Sequence, residues 1–428
     1  MEIYIVREGD TVFSIAEQFG VSPFRIIANN SLASPENLAV GQALLILIPE
    51  IVHTVTQGET LDTIAAAYNV SYEQLLRNNP FLAVQQYIYP NENIVIKYRG
   101  EKGRAIKFSG FAYPWINRSR LRQILPYITY FIIFGYGFSE DGTIITVEDA
   151  DVIGLAHQNQ TAVLLSLSFI EANGTFNTTK AALLLTDIDF QNRVISGMID
   201  EIRARGAQGM DIDMEYIPAQ YKEEFVAFVA NAGTQLRANG YVLNIDLAPK
   251  TSAEQAGTLY EAHDYPALGE EADLAFLMTY EWGYMYGPPM AIAPINNVSS
   301  VLDYALTEIP ADKIYLGMPN YAYDWQLPFV QGETAAQVIG NMTAVERAVL
   351  NEVPIQFDER SQSPFYTYIA EDGAEHIVWF EDVRSIKSKL ELVDRSGIAG
   401  AGLWNFMRAF PQAYFLIDNM FEIQKILP

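Results

Sequence analysis

Beyond residue 104, the chain alternates between two hydrophobic periods. Apolar segments of strand length are separated by segments whose apolar residues recur every three to four positions, most clearly over 190–205 and 223–236. The strand-like segments are 105–112, 130–134, 162–168, 209–215, 242–248, 274–280, 314–318 and 399–404. Eight strands that alternate with helices predict an α/β fold, a (β/α)8 TIM barrel whose functional side chains lie at the carboxyl ends of the strands.

One stretch interrupts this alternation. Between the seventh strand and the last helix, residues 326–382 carry further strand-like pieces at 355–358, 365–369 and 376–380. We interpret 326–382 as a small α+β lobe inserted beside the functional end of the barrel.

The first hundred residues contain a duplication. Each copy predicts an extended start, a helix capped by Thr11 or Thr60, a second short helix and an apolar closing strand. The matching features are offset by 49 positions: Gly-Asp-Thr at 9–11 and Gly-Glu-Thr at 58–60, Ile-Ala at 15–16 and 64–65, and Asn-Asn at 29–30 and 78–79. The pattern predicts two small βααβ modules, at 1–49 and 50–99, before a barrel domain at 104–428.

Three acidic residues occupy alternate positions of the fourth predicted strand. Because strand side chains alternate between faces, Asp211, Asp213 and Glu215 share one face, while apolar residues take the other. Carboxyl groups this close in an apolar segment cannot all ionise, so at least one keeps its proton. The arrangement predicts an acid catalyst together with the groups that support it.

Composition narrows the class of partner. The formal net charge of −25 argues against nucleic acid and anionic membranes, which bind through basic patches, and is compatible with a neutral glycan. No apolar run reaches the roughly 18 residues of a membrane span. The first residues also lack the pattern of an ordinary secretion signal. Nothing in the sequence indicates an oligomeric state.

A metal site is the alternative interpretation of the acidic run. As a calcium loop it fails, because Tyr216 stands where the loop requires glycine and Lys222 where it requires glutamate. The chain has no cysteine, and its four histidines are scattered singly. We therefore expect no metal and no cofactor.

The duplicated module resembles LysM, a family that binds N-acetylglucosamine-containing glycans such as peptidoglycan and chitin. The resemblance rests on the Gly-[Asp/Glu]-Thr start, the Ile-Ala pair, the Asn pair and the closing strand of both copies. It implies glycan recognition mostly through loop backbone groups. The asparagines themselves are explained as helix-end and turn residues.

Three motifs in the second part of the chain resemble family 18 glycoside hydrolases, the chitinase-like barrel enzymes. Residues 208–215 resemble the signature D-G-x-D-x-D-x-E. Met278-Thr279-Tyr280-Glu281 ends the sixth strand, where the family has M-x-Y-[DN], and Trp404 ends the eighth. Together with two LysM copies, this architecture resembles the spore-cortex-lytic N-acetylglucosaminidases of spore-forming bacteria.

The resemblance implies a role for each of these residues. Glu215 would protonate the leaving oxygen, while the substrate's own 2-acetamido oxygen acts as the nucleophile. Asp213 would hold the acetamido N–H and share a proton with Asp211. Tyr280 would donate to the acetamido carbonyl, and Trp404 would form the floor under the sugar ring. This mechanism requires N-acetylglucosamine in the reactive subsite and implies retention of configuration.

Two residues depart from the family's motifs. Gln208 stands where the family often has its first aspartate, and we expect its amide to hydrogen-bond Asp211 and to alter the pH dependence. Glu281 replaces the usual Asp or Asn beside Tyr280, and Met278 completes the same motif as a substrate contact.

Three further candidates keep two interpretations each. Tyr113 and Trp282 follow the ends of the first and sixth strands, where aromatic rings either line a sugar groove or fill the barrel rim. Asn244 lies on the fifth strand and is either a substrate contact or a structural hydrogen-bonding residue.

The sequence therefore predicts a peptidoglycan hydrolase, an N-acetyl-β-D-glucosaminidase of the spore cortex that is anchored by its LysM modules. Its expected location is the spore or the cell wall. The alternatives are a chitinase and a non-catalytic chitinase-like lectin. Such lectins typically lose the last acidic residue of the signature, so the presence of Glu215 favours the enzyme.

Overall fold

The structure is a computed structural model that describes residues 1–169 and 178–427. Its N-terminal part consists of two modules with the predicted βααβ order, in which the first and last strands pair antiparallel. Thr11 and Thr60 cap the first helices through reciprocal hydrogen bonds with Ser14 and Thr63. The elements are β1 (Glu2–Ile5), α1 (Val12–Phe19), α2 (Pro23–Asn29), β2 (Ala43–Ile46), β3 (Pro49–Thr54), α3 (Leu61–Tyr68), α4 (Tyr72–Asn78), a 3-10 helix (Pro80–Ala83) and β4 (Asn93–Tyr98).

The second asparagine of each Asn pair is structural. Asn30 Nδ2 donates to the carbonyl oxygens of Ile26 (2.8 Å) and Leu45 (3.0 Å), and its Oδ1 accepts from the Leu45 N–H (2.7 Å). Asn79 makes the equivalent bonds in the second module. Each of these side chains therefore ties the end of a helix to the closing strand.

Among the described residues, eight parallel strands close into a barrel, which confirms the predicted fold. The first strand pairs with both the second and the eighth. The first seven barrel strands, with the short hairpin strand β7, are β5 (Ala105–Ala112), β6 (Tyr130–Phe138), β7 (Ile144–Ile145), β8 (Ala162–Leu167), β9 (Gly209–Ile212), β10 (Val242–Leu247), β11 (Leu274–Leu277) and β12 (Ile314–Pro319).

Helices connect these strands because their apolar stripes pack against the sheet; the longest, α8, buries residues from Phe190 to Ile202. None of the helices in the described part of the chain is long and apolar enough to cross a membrane. The helices up to the seventh strand are α5 (Arg118–Ile124), α6 (Ala150–Gln158), α7 (Thr178–Thr186), α8 (Ile188–Arg205), α9 (Lys222–Ala238), α10 (Tyr265–Glu271) and α11 (Ile295–Glu308), with 3-10 helices at Leu125–Tyr127, Ala219–Tyr221 and Ala311–Lys313.

The inserted lobe is an antiparallel five-stranded sheet with one helix. Its first strand begins at Ala322, earlier than the expected start at 326, because the sheet follows the seventh barrel strand almost directly. The lobe comprises β13 (Ala322–Leu327), β14 (Gln337–Ile339), α12 (Asn341–Leu350), β15 (Gln356–Asp358), β16 (Ser363–Ile369) and β17 (Glu375–Trp379). The chain then returns to the barrel through α13 (Val383–Ser396), β18 (Gly400–Trp404), α14 (Pro411–Met420) and β19 (Glu422–Ile423).

The fourth barrel strand is shorter than expected. β9 ends at Ile212, so Glu215 follows the strand and does not end it. The Asp213 N–H still donates to Leu167 O at 3.1 Å, but Tyr216 takes a φ of 56° in the left-handed region, which redirects the chain. Glu215 consequently stands at the barrel mouth.

Both N-terminal modules pack on the barrel. Arg77 Nε lies 2.8 Å from Asp418 Oδ1 on α14, and Lys102 Nζ lies 2.7 Å from the same oxygen. Leu45 and Tyr98, from the closing strands of the two modules, belong to the same buried apolar cluster as the barrel core. The modules and the barrel therefore share one folded body.

The turns before the closing strands differ between the modules. Ala39 and Tyr89 are equivalent, since the N–H of each bonds the side chain three positions later. Ala39 is buried in the apolar cluster of the lobe, whereas Tyr89 is 60% exposed. The Ile355 N–H donates to Val40 O at 2.8 Å, so the first turn is joined to the lobe and the second is open.

Candidate active site

The acidic motif lies at the centre of the barrel. Asp211 is fully buried, and Asp213 is 6% exposed. Neighbouring strands place Ser166 and Asn244 beside Asp211 in the sheet register. Asn244 Nδ2 donates to Asp211 Oδ1 at 2.6 Å, so the deepest carboxyl group has an amide donor.

A cleft of about 400 Å³ opens above these carboxyl groups at the carboxyl ends of the strands. Within the described residues, no group of three or more His, Asp or Glu side chains is arranged to hold a metal ion. The polar and aromatic lining includes Asp213, Glu215, Tyr216, Asp246, Tyr260, Tyr280, Glu281, Trp282, Tyr321, Tyr323, Trp404, Asn405 and Arg408.

Burial and mutual repulsion raise the pKa values of the three motif carboxyls. Burial, with a smaller contribution from the charge of Glu281, raises the pKa of Glu215 to about 7. Burial raises the pKa of Asp211 to about 6, although hydrogen bonds oppose this effect. Burial and the charges of Glu215 and Asp211 raise the pKa of Asp213 well above its usual value. Near neutral pH, Asp213 therefore keeps its proton, and Glu215 is able to exchange one.

Tyr280 and Trp404 present a hydroxyl donor and an apolar face to the same cleft. Burial and the neighbouring carboxyl groups raise the pKa of Tyr280 well above its usual value, so its phenol stays a neutral donor. The Trp404 ring is held between Phe111 and Phe134, with ring centroids 5.3 Å away in each pair. This packing fixes the plane that the indole offers to a ligand.

The lobe contributes to the site through Tyr323 of β13, which holds the Glu281 carboxyl group. The hydroxyl of Tyr323 lies 2.9 Å from Glu281 Oε1 and 3.1 Å from Oε2, and the Tyr321 hydroxyl also donates to Oε1. Burial raises the pKa of Glu281, and the two tyrosine hydroxyls counteract that rise. Glu281 adopts a φ of 67°, a conformation that non-glycine residues rarely take outside constrained sites. β13 thus orients a carboxyl group that faces Glu215.

Comparison with known proteins identifies the family. The family model described as "Glycosyl hydrolases family 18" matches residues 108–408, and the LysM domain model matches 4–47 and 53–97. The chain belongs to the family 18 glycosyl hydrolases. It is a glycoside hydrolase with two LysM domains, and this combination implies a glycan ligand of the peptidoglycan or chitin type.

Full-length relatives share this architecture. The chain is 36% identical to a cortical fragment-lytic enzyme of Bacillus cereus and 33% identical to that of Bacillus subtilis (strain 168), over 99% of each chain in both pairs. The crystal structure of the Bacillus megaterium QM B1551 spore cortex-lytic enzyme SleL superposes with a TM-score of 0.83 at 34% identity, over 99% of both chains. A chitinase from Chromobacterium violaceum ATCC 12472 has a TM-score of 0.68 at 20% identity, covering 73% of this chain and 98% of the chitinase, which shows the shared fold.

The hydrolase cleft brings together most of the residues singled out from the sequence. Asp213, Glu215, Tyr280 and Trp404 line it, as do Met278, Glu281 and Trp282. Tyr113 is not part of this lining. Its ring stacks on Trp115 at 4.5 Å and packs against Phe134, on the barrel rim beside Asp213. Asn244 lies below the cleft as the hydrogen-bond donor to Asp211.

The predicted hydrogen bond between Gln208 and Asp211 is wrong. Gln208 Oε1 accepts from the Val163 N–H and Nε2 donates to Gly206 O, each at 2.7 Å. The physical reason is strand alternation, since residues three positions apart point to opposite faces. Asn244 on the adjacent strand supplies the amide that Gln208 was expected to provide.

Several polar cleft residues were not predicted from the sequence as functional groups, among them Asp246, Tyr260, Tyr321, Tyr323 and Arg408. Asp246 shares a face of the fifth strand with Asn244, and strand alternation alone does not separate a functional from a structural hydrogen-bonding role for it. Tyr321 and Tyr323 alternate directly after the seventh strand, a spacing that places both on one face and would have revealed them. Arg408 lies in an irregular segment with no periodic signal.

Proposed function

We propose that this hydrolase is an N-acetyl-β-D-glucosaminidase that degrades peptidoglycan of the spore cortex. The observation that carries the proposal is Glu215, which stands at the barrel mouth above Asp213 with a pKa raised to about 7. A general acid works best when its pKa lies near the working pH. The names of the full-length relatives, cortical fragment-lytic enzymes, support the substrate.

In the proposed reaction, Glu215 protonates the glycosidic oxygen as the bond to the leaving sugar breaks. The resulting carboxylate then accepts a proton from the water that completes hydrolysis. The charge of Glu281 contributes to this cycle, because it raises the pKa of Glu215 and so keeps the acid protonated in the resting enzyme.

The site supports the substrate's acetamido oxygen as the nucleophile. Asp213 is buried and keeps its proton near neutral pH, and a neutral carboxyl group is a poor nucleophile. The Glu281 carboxyl is held by two tyrosine hydroxyls. In our proposal, Asp213 binds the acetamido N–H, Tyr280 donates to the acetamido carbonyl and Trp404 supports the ring. An N-acetyl group on the reacting sugar is therefore required.

The LysM modules would hold the enzyme on the glycan while the barrel cuts it, and we propose an association with the spore or the wall. The open turn of the second module, with Tyr87 63% and Tyr89 60% exposed, is accessible to a polymer. The corresponding turn of the first module is joined to the lobe through Val40 and Ile355. In the second module this turn is therefore free to contact a glycan, whereas in the first module the turn already contacts the lobe.

The experiment compares the parent with Glu215→Gln on spore cortex, vegetative wall and chitin, with mass spectrometry of the released fragments. We expect the parent to release fragments with reducing N-acetylglucosamine ends from cortex, and Glu215→Gln to lose this activity by about 100-fold or more, as expected when a general acid is removed. Wall binding should persist in the variant. Glu371→Gln, an exposed position in the lobe, is the matched control and should retain parental rates.

Two results would contradict the proposal. Parental activity of Glu215→Gln would refute the role of Glu215. Digestion of chitin without digestion of cortex would show a chitinase instead.

A further inference from the structure

Besides Glu281, one more carboxyl group, that of Asp246, faces the catalytic motif, and it comes from the neighbouring strand. Asp246 lies on β10, two positions after Asn244, whose register partner on β9 is Asp211. Because strand side chains alternate between faces, Asp246 shares the face of Asn244, and it lines the cleft together with Asp213 and Glu215. It is 2% exposed and lines the base of the cleft. The proposed mechanism assigns no task to this residue.

The side-chain amide of Asn244 is shared unequally between the carboxyl groups of Asp211 and Asp246. Asn244 Nδ2 lies 2.6 Å from Asp211 Oδ1 and 3.3 Å from Asp246 Oδ1, so the amide serves Asp211 better. The charged groups that act on Asp246 are the carboxyl groups of Asp211, Asp213 and Glu215. Buried carboxyls without a cation between them cannot all ionise, and the one with the best donor ionises first. That group is Asp211.

We propose that Asp246 is a positioning residue of the hydrolytic site, whose protonated carboxyl group donates to Asp211 and holds Asp211 as the anion beneath Asp213. Asp246 forms no bond to substrate in this scheme. It acts through Asp211, whose negative charge helps Asp213 to keep the proton that makes it a poor nucleophile. The inference rests on the glucosaminidase function proposed above.

The electrostatics agree with this geometry. Burial, followed by the charges of Asp211, Asp213 and Glu215, raises the pKa of Asp246 well above its usual value. A hydrogen bond between Asp246 and Asp211 lowers the pKa of Asp211 and offsets part of the effect of burial. The Tyr280 phenol also interacts with Asp246, and burial keeps this phenol neutral.

The test follows kcat/KM against pH for the full chain on a chromogenic N-acetylglucosamine oligosaccharide. Asp246→Ala removes the donor to Asp211, so the pKa of Asp211 rises and the acid limb of the profile moves to higher pH. The expected shift is about 0.5–1 pH unit, the effect of one lost hydrogen bond. Asp246→Asn keeps an N–H donor, so its limb should stay near the parental position and it should lose less activity than the alanine variant.

The control is Asp149→Asn, which disrupts a buried aspartate outside the cleft whose Oδ1 lies 3.0 Å from Arg205 Nε. This variant should melt at a lower temperature and leave the acid limb in place. A purely structural role for Asp246 would give the same pattern in Asp246→Ala. An unmoved limb in Asp246→Ala, or equal shifts in the alanine and asparagine variants, would overturn the proposal.

A second readout does not depend on the folding of Asp246→Ala or on activity. Infrared difference spectra at neutral pH should show one protonated carboxyl band fewer in Asp246→Asn than in the parent. An unchanged set of bands would show that Asp246 is ionised and would refute the inference. If the parent hydrolyses no N-acetylglucosaminide, the proposed function fails, while the infrared result still decides the protonation of Asp246.

Discussion

The charge repulsion between Glu281 and Glu215 gives a quantitative prediction. Glu281→Gln removes the charge that helps to raise the pKa of Glu215, while the glutamine carbonyl can still accept from Tyr321 and Tyr323. The pKa of Glu215 stands at about 7 against an ordinary 4.5. Burial is the larger cause of this rise and Glu281 the smaller, so the loss of Glu281 should lower the pKa of Glu215 by less than about 1.2 pH units.

The sign of the effect on activity follows from the role of Glu215. A general acid must be protonated in the resting enzyme, so the alkaline limb of kcat/KM follows its pKa. In Glu281→Gln, this limb should move to lower pH, and the acid limb should stay where it is in the parent. Glu371→Gln should leave both limbs in place.

The assay is the pH profile of kcat/KM on a chromogenic oligosaccharide, together with thermal unfolding of each variant. An alkaline limb that stays in place or moves to higher pH would refute the coupling between the two glutamates. A shift larger than about 1.2 pH units would show that the charge of Glu281 outweighs burial at Glu215, and burial would then no longer be the main cause of the raised pKa.

Two further predictions concern other parts of the molecule. A Cβ at Gly41 would lie 1.9 Å from Ile355 O, so Gly41→Ala should separate the first module from the lobe and destabilise the protein by about 1–3 kcal/mol beyond the effect of backbone conformation. Gly9→Ala is the matched control for thermal unfolding. Gly9 has a φ of 84°, against 83° at Gly41, but a Cβ at Gly9 would have no atom within 4 Å. Equal losses of stability in the two variants would refute the contact between Gly41 and Ile355. Tyr280→Phe should lower kcat by about 100-fold through loss of one preorganised donor, with little change in melting temperature, and a parental kcat would contradict its assigned role.

The barrel could be predicted because its strands are buried on both faces and therefore appear as apolar runs between amphipathic helices. The catalytic motif could be predicted because three carboxyl groups on one strand face have no structural explanation of equal weight. The end of β9 could not be predicted, because the strand ends at Ile212 while the alternation of apolar and acidic residues continues to Glu215. The hydrogen bond expected between Gln208 and Asp211 does not form, because strand alternation places these two side chains on opposite faces.

The remaining site residues depend on tertiary packing. Tyr321 and Tyr323 reach Glu281 only because the inserted sheet continues from the seventh strand towards the barrel mouth. Asp246 becomes notable only once the register of β10 with β9 brings its strand face to Asp211 and into the cleft. The docking of the modules is set by pairs far apart in the chain, such as Arg77 with Asp418, which no local pattern reveals.

In the proposed mechanism, Glu215 delivers a proton while the substrate's own amide attacks the anomeric carbon. The most direct test is proton NMR of the reducing end released in the first minutes of hydrolysis of an N-acetylated β-linked oligosaccharide. Two displacements at the same carbon predict that the β anomer appears first and then mutarotates. Initial release of the α anomer, or equal cleavage of an oligosaccharide whose N-acetyl groups have been removed, would contradict the account.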